Sequence, residues 1–285
     1  FDIPGIPTDI LFDSEGIIAT SSYIIDGFSQ SNSAIPGPHV DGTPGLTGAA
    51  LYINFVNNGS FNHGIRFDFG TENSFIQGIR VLGFDRHGIE MNTTDISVYG
   101  CEIGIDESGI ENGNLWAGVE INDDDNIIGG REHWMRNVIS GNGLGIDPEK
   151  SNINIQYGWN NIIRGNIIGG TPDGLYSIGA ATQTAYGIYC DDLYNVFGGK
   201  QVNEGNIIID NEYGIYNTLI GDYVIIQGNK IGVGWDEVTA AGNAVAGIYL
   251  SGSDNNLIGG YTTNEANIIA NNYSGIVLVT QTTPA

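Results

Sequence analysis

Apolar residues in this chain come in short runs that alternate with polar ones and stop at Gly or Asn. Gly88-Ile89-Glu90-Met91, Gly118-Val119-Glu120-Ile121, Gly187-Ile188-Tyr189-Cys190, Gly247-Ile248-Tyr249-Leu250 and Gly275-Ile276-Val277-Leu278 share one pattern, Gly-φ-x-φ with φ apolar. Period-two alternation of three to five residues, rich in Ile, Val and Tyr, predicts short strands. No stretch repeats apolar residues at i, i+3, i+4 and i+7 over three turns, so the pattern predicts no amphipathic helix.

The strands belong to longer repeats. Asn-φ-φ-Gly-Gly occurs at Asn126–Gly130, Asn195–Gly199 and Asn256–Gly260, and each copy is followed 11 residues later by Asn-φ-Ile, at Asn137, Asn206 and Asn267. Gly-x-x-Ile-Gly occurs at Gly100–Gly104, Gly165–Gly169 and Gly228–Gly232, its copies 65 and 63 residues apart. No regular two-residue hairpin turns join the strands. A chain that repeats in this way winds continuously, each turn pairing in parallel with its neighbours about 4.8 Å away. Ile and Val then stack in inward columns. Asn at the bends stacks in ladders and, with Gly, supplies the left-handed backbone that sharp corners need.

Gly-Asn-x-Ile-Gly, Asn-x-Ile-Gly-Gly, Asn-Val-Ile-Ser-Gly-Asn and Gly-Ile-x-φ together resemble the right-handed parallel β-helix repeats of the pectin-lyase-like superfamily, more narrowly those of bacterial secreted and surface proteins. Tyr23-Ile24-Ile25-Asp26-Gly27-Phe28-Ser29-Gln30 is similar to the early Ile-Asp-Gly segment of that group. The resemblance runs from about residue 20 to the end. It implies an all-β fold, a single-stranded right-handed parallel β-helix with three short parallel sheets. It implies no single activity, because the superfamily spans lyases, hydrolases, epimerases, adhesins and phage spikes. The expected organisation is one continuous domain: an N-terminal cap with first irregular coils over 1–60, regular coils over 61–280, and a tail at 281–285.

Composition sharpens the picture. Of 285 residues 44 are Gly, and 33 acids against 9 bases give a net charge of −24, although only 15% of residues are charged. So few bases exclude nucleic acid as a default partner and disfavour an anionic membrane surface. No apolar run is long enough to cross a membrane, so no insertion is expected. Phe1-Asp2-Ile3-Pro4-Gly5 lacks the basic and apolar regions of a signal peptide. The two cysteines, Cys101 and Cys190, lie 89 residues apart and are expected as free, buried thiols.

Chemistry has two places to sit. Residue x of Gly-φ-x-φ points outward and reads, up the stack, Arg66, Glu90, Glu120, Asp147, Tyr189, Tyr216, Tyr249, Val277. The tyrosines offer a flat face for sugar rings or protein. Glu90, Glu120 and Asp147 are weak catalytic candidates, since carboxylates one coil apart match the separation used by retaining glycosidases. They also fit Ca²⁺, with Asp123, Asp125, Asp191 and Asp192 as further oxygen donors, although no cofactor is required. Three insertions, after Gly104, Gly169 and Gly232, follow equivalent repeats and should emerge on one side. They carry Trp116, Tyr176 and Trp235, added to the tyrosines as ligand-binding candidates. His63 and His87 each precede a Gly-Ile repeat and could stack.

The leading reading is an extracellular or cell-surface β-helix, a rigid recognition, adhesion or structural module facing a polysaccharide or cell-surface glycan. Self-association or a larger surface protein is a further partner class. The first alternative is a polysaccharide hydrolase, less readily a lyase or epimerase. Asp147-Pro148-Glu149-Lys150 faintly resembles the epimerase Asp-Pro motif but lacks its His, and Asp191-Asp192 has no accompanying Gly-His-Gly. The second alternative is a segment of a trimeric fibre or spike, whose mark would be an apolar external stripe along the axis.

Overall fold

The computed structural model describes residues 8–12, 16–29, 53–59, 63–106, 109, 112–143, 150–178 and 184–280. Every strand pairing in it is parallel, in three sheets. Sheet 1 has nine strands from Thr8–Phe12 to Ile268–Ile269, sheet 2 nine from Ile17–Ala19 to Ser274–Val279, and sheet 3 eight from Ile24–Asp26 to Leu257–Ile258. Strands consecutive in sequence belong to different sheets, so the chain visits sheets 1, 2 and 3 and returns one level higher. Parallel crossovers of twisted strands close with a right hand. The protein is thus a right-handed parallel β-helix, and its only described helix is a single turn at His133–Met135.

The interior is the predicted set of columns. In sheet 2, Ile65, Ile89, Val119, Ile153, Ile188, Ile215 and Ile248 occupy one inward file, all at 0% exposure. Cys101 and Cys190 lie in this core as free thiols, and burial pushes both up to about 12.

Asparagine ladders tie the coils at the corners. Between sheets 3 and 1, the side-chain amides of Asn137, Asn166, Asn206 and Asn229 each donate to the Asn one coil higher, at 2.9–3.1 Å. Between sheets 1 and 2 the series is Asn114, Asn142, Asn152, Asn211, Asn243, Asn272. Each amide satisfies backbone groups that a sharp bend would otherwise strand in the interior.

Two kinds of coil alternate. Where Asn-φ-φ-Gly-Gly stands, the corner from sheet 3 to sheet 1 is wide; in two of these corners Glu204 and Glu265 accept backbone N–H groups of the turn. Where Gly-x-x-Ile-Gly stands, the same corner is a tight turn on Gly100, Gly165 or Gly228, each at positive φ, and the following bend to sheet 2 carries the insertion. The spacings of 65 and 63 residues therefore measure two coils.

Candidate functional site

The outward face of sheet 2 carries the candidate site. Register places Arg66 beside Glu90, Glu90 beside Glu120, Glu120 beside Asn154, Asn154 beside Tyr189, then Tyr216, Tyr249 and Val277. One position departs from expectation. The row residue between Glu120 and Tyr189 is Asn154, not Asp147. The strand in that coil is Ser151–Ile155, where Asn152-Ile153-Asn154-Ile155 supplies the alternation. Asp147 lies outside the described residues.

The lower end of the row is a charged, largely buried cluster. Glu90 Oε2 lies 3.1 Å from His63 Nδ1 and 3.5 Å from Arg66 Nε. Arg66 also binds Asp68 at 2.8 Å. Glu120 accepts from the Asn154 amide at 2.8 Å. The two imidazoles stack at 5.4 Å, as their repeat positions suggested, and Trp116 meets His87 edge-on while its ring face lies under Arg86. Arg86 can only donate, so its 3.3 Å contact makes His63 Nε2 the acceptor. His87 Nδ1 accepts the Ala117 N–H at 3.2 Å, so its 3.6 Å approach to Glu120 is not an ion pair. The Arg66 guanidinium beside Glu90 favours its charged form, against the nearby Asp68 carboxylate. Burial nevertheless raises Glu90 above the usual carboxylate range.

His87 gives this cluster a pH signature. Burial, with the positive charge that His63 gains on protonation and that of Arg86, lowers it to about 3. A group depressed in the folded state gives stability that is complete above its unfolded pKa and fades as pH falls through the folded value. Between pH of about 6.5 and about 3, His87 should weaken the fold by about tenfold in the unfolding constant per pH unit. Glu90 works in the opposite sense, its contribution fading as pH rises. Urea midpoints measured across that window should fall more steeply for the native chain than for His87→Gln.

The upper end is aromatic. Tyr189, Tyr216 and Tyr249 stack face to face at 5.7 and 5.0 Å with planes 5° and 6° apart. A second file, Tyr186 and Tyr213, stacks at 5.5 Å and meets the first edge-on. Desolvation raises Tyr189 and Tyr213 above the usual phenol range. These five half-buried rings form one rigid patch across three coils of a flat sheet. Tyr213 precedes Gly214-Ile215-Tyr216 by one position, as Tyr186 precedes Gly187-Ile188-Tyr189. That offset is the signal from which the second file could have been found.

No protein-family model matches the chain, and no curated protein matches it. Among solved structures it is similar to the Dettilon tailspike protein, at 15% identity, with a TM-score of 0.36, over 95% of this chain and 61% of that one. The chain thus spans about three-fifths of that protein's length.

The remaining candidates lie elsewhere. The insertions after Gly169 and Gly232 do emerge on one side, over sheet 1, and join where Trp235 N–H donates to Gly174 O at 3.1 Å. They cover Val138, Ile167 and Ile207, outward residues of sheet 1, forming a small second core with Ile178 and Trp235. Asp173 and Asp236 shape these loops by accepting N–H and hydroxyl groups of their own turns. Trp235 lines an open groove of about 560 Å³ with Lys230 and Glu237 beside it, whereas Tyr176 stands exposed on its loop. Trp116 belongs to the histidine cluster instead. Asp123, Asp125, Asp191 and Asp192 sit at the corner between sheets 2 and 3. There Asp192 accepts the N–H groups of Gly158 and Leu193, and Asp191 the hydroxyl of Thr218. Among the described residues, no three His, Cys, Asp or Glu side chains converge as a metal site.

Proposed function

We propose that this protein is an extracellular or cell-surface recognition module whose sheet 2 face binds glycan. The five-tyrosine patch carries the proposal. Stacked rings cover each other's faces, so what they leave to solvent is ring edge and hydroxyl, one step per coil of about 4.8 Å. Packing has already immobilised them, so little side-chain entropy remains to be lost on binding. A net charge of −24 favours a neutral glycan over a bare polyanion. The test is a panel of immobilised polysaccharides, with and without Ca²⁺, scored for retention. Retention on a neutral polysaccharide is expected, with Tyr216→Ala weakening it by about tenfold or more. Retention unchanged in that variant would remove the tyrosine patch from the account.

The raised Glu90 beside Glu120 favours a second reading, a glycoside hydrolase. Burial that raises a carboxyl suits it to general-acid work, and a carboxylate on the next coil, about 5 Å away by strand spacing, suits the nucleophile's place. Reducing-end release that disappears in Glu90→Gln would establish it.

A further inference from the structure

The outward face of sheet 3 carries an uncharged lane that the sequence pattern did not single out. Register aligns Ser97, Ile127, Ile162, Val196, Ile225 and Leu257 in one file along the axis. Downward the file continues through Phe75 to Ile24. All eight are half-buried or exposed, with Ile24 65% and Leu257 46% exposed. No acid or base stands in it. On a surface of net charge −24, this lane is where a second strongly acidic body approaches at least electrostatic cost.

The lane's two margins differ. On the side where the chain enters sheet 3, each coil above the first has a left-handed residue: Asn73, Asp95, Asp125, Asn160, Tyr194, Tyr223 and Asn255. Asn and Asp tolerate that backbone, whereas a bulky aromatic there is an outlier maintained at a cost. Tyr194 and Tyr223 hold φ of 60° and 58°, stack at 5.0 Å and stay 45% exposed, with Trp159 edge-on to Tyr194. On the exit side, the same upper coils have Gly198, the buried Gln227 and Gly259, while the middle of that margin carries Arg164. One margin is thus raised by rings above and acidic below. The other is hollow above and in its middle holds Arg164, paired with Glu204 at 3.2 Å.

We propose that this lane is the contact between two copies of the chain lying side by side with parallel axes, sheet 3 against sheet 3. A two-fold axis parallel to the solenoid sets the entry margin of one copy against the exit margin of the other at the same height. Tyr194 and Tyr223 then face the glycine side. A copy also has the same 4.8 Å axial step, so its file interleaves with this one along the whole lane. The proposal is independent of glycan binding, which lies on sheet 2.

Sedimentation equilibrium and disulfide trapping test it together. Wild-type protein is expected to dimerise reversibly, and Ile162→Asp/Val196→Asp to raise the dimer dissociation constant by about tenfold or more with unchanged circular dichroism. Leu257→Cys, near one end of the lane, should trap a dimer through identical residues, which antiparallel copies would not allow. Val277→Cys on sheet 2 should not. The native thiols are buried and raised to about 12, so they do not compete. A wild-type monomer at every soluble concentration would overturn the proposal, as would a trimer, the assembly for which an axial apolar stripe was named as the mark. So would a dimer that survives the double substitution, or one that forms no Leu257→Cys disulfide.

Discussion

Asn166→Ala is expected to lower the unfolding free energy by about 3–5 kcal/mol, among the largest effects of any single side chain here. Asn166 is fully buried, and its Oδ1 accepts from the Asn137 backbone at 3.3 Å and the Asn137 amide at 2.9 Å. Its own amide donates to Ile128 O at 2.9 Å and to Asn206 at 3.1 Å. Ala removes all four contacts while the partners stay buried, and each orphaned group costs about 1–3 kcal/mol. The ladder limits relaxation, because Asn137 and Asn206 are held by the coils beyond them. Asn255→Ala is the control. Asn255 holds φ of 60° at an exposed corner, where loss of left-handed tolerance costs about 1–2 kcal/mol. Equal urea midpoints for the two variants would mean that the ladders decorate the corners rather than hold them.

Glu102→Ala should cost a similar amount by a different route. Arg80 and Glu102 face outward from adjacent strands of sheet 1, yet both are about 97% buried or more, and their Nε and Oε2 are 2.5 Å apart. Arg80 also donates to Asn54 at 3.3 Å. Removing the carboxylate leaves a guanidinium charge that burial disfavours, typically about 3–5 kcal/mol. The pair as a whole need not be stabilising. Arg80→Met/Glu102→Leu should recover most of the loss, because hydrophobic replacements of a buried pair are often neutral or better. A double-mutant cycle in urea checks both statements. Additive losses would show that the two charges do not depend on each other.

The fold was legible because its signals are local and repeated. Gly-φ-x-φ marks a strand of sheet 2 in the five copies that define it, since its alternation is the pleat itself, although Gly78-Ile79-Arg80-Val81 fits the same pattern and leads into sheet 1. The period was harder. Asn-φ-φ-Gly-Gly and Gly-x-x-Ile-Gly each label every second coil, so their spacing alone does not say that two turns separate equivalent copies. Asp147 shows the limit of the pattern. Gly145-Ile146-Asp147 fits the template, but Asn152-Ile153-Asn154-Ile155 competes a few residues on and pairs with both neighbouring strands. The acidic-to-aromatic division of the row was readable, because register follows directly from the repeat. The surroundings of Glu90 were not. Arg66 on the coil below, and His63 and Arg86 from the approach to the sheet, come together only once winding brings separate coils level. For the same reason Trp116, Tyr176 and Trp235, alike in sequence as insertion aromatics, part company: Trp116 joins the histidines beside sheet 2, whereas Tyr176 and Trp235 stay on the loops over sheet 1.

The lane on sheet 3 was hidden for a complementary reason. Ile127, Ile162 and Ile225 each stand in an Ile-Ile pair, and the pair does not announce which member faces out. Only the register shows that the first member forms an external file and the second lies in the core.

Hydroxyl-radical footprinting with a retained neutral polysaccharide bound tests the central claim most directly, because it reads every aromatic ring at once. Protection is predicted at Tyr189, Tyr213, Tyr216 and Tyr249, with the exposed rings of Tyr261 and Tyr273 unchanged. Protection confined to Trp235 and its groove, with the tyrosines of sheet 2 still fully reactive, would contradict it.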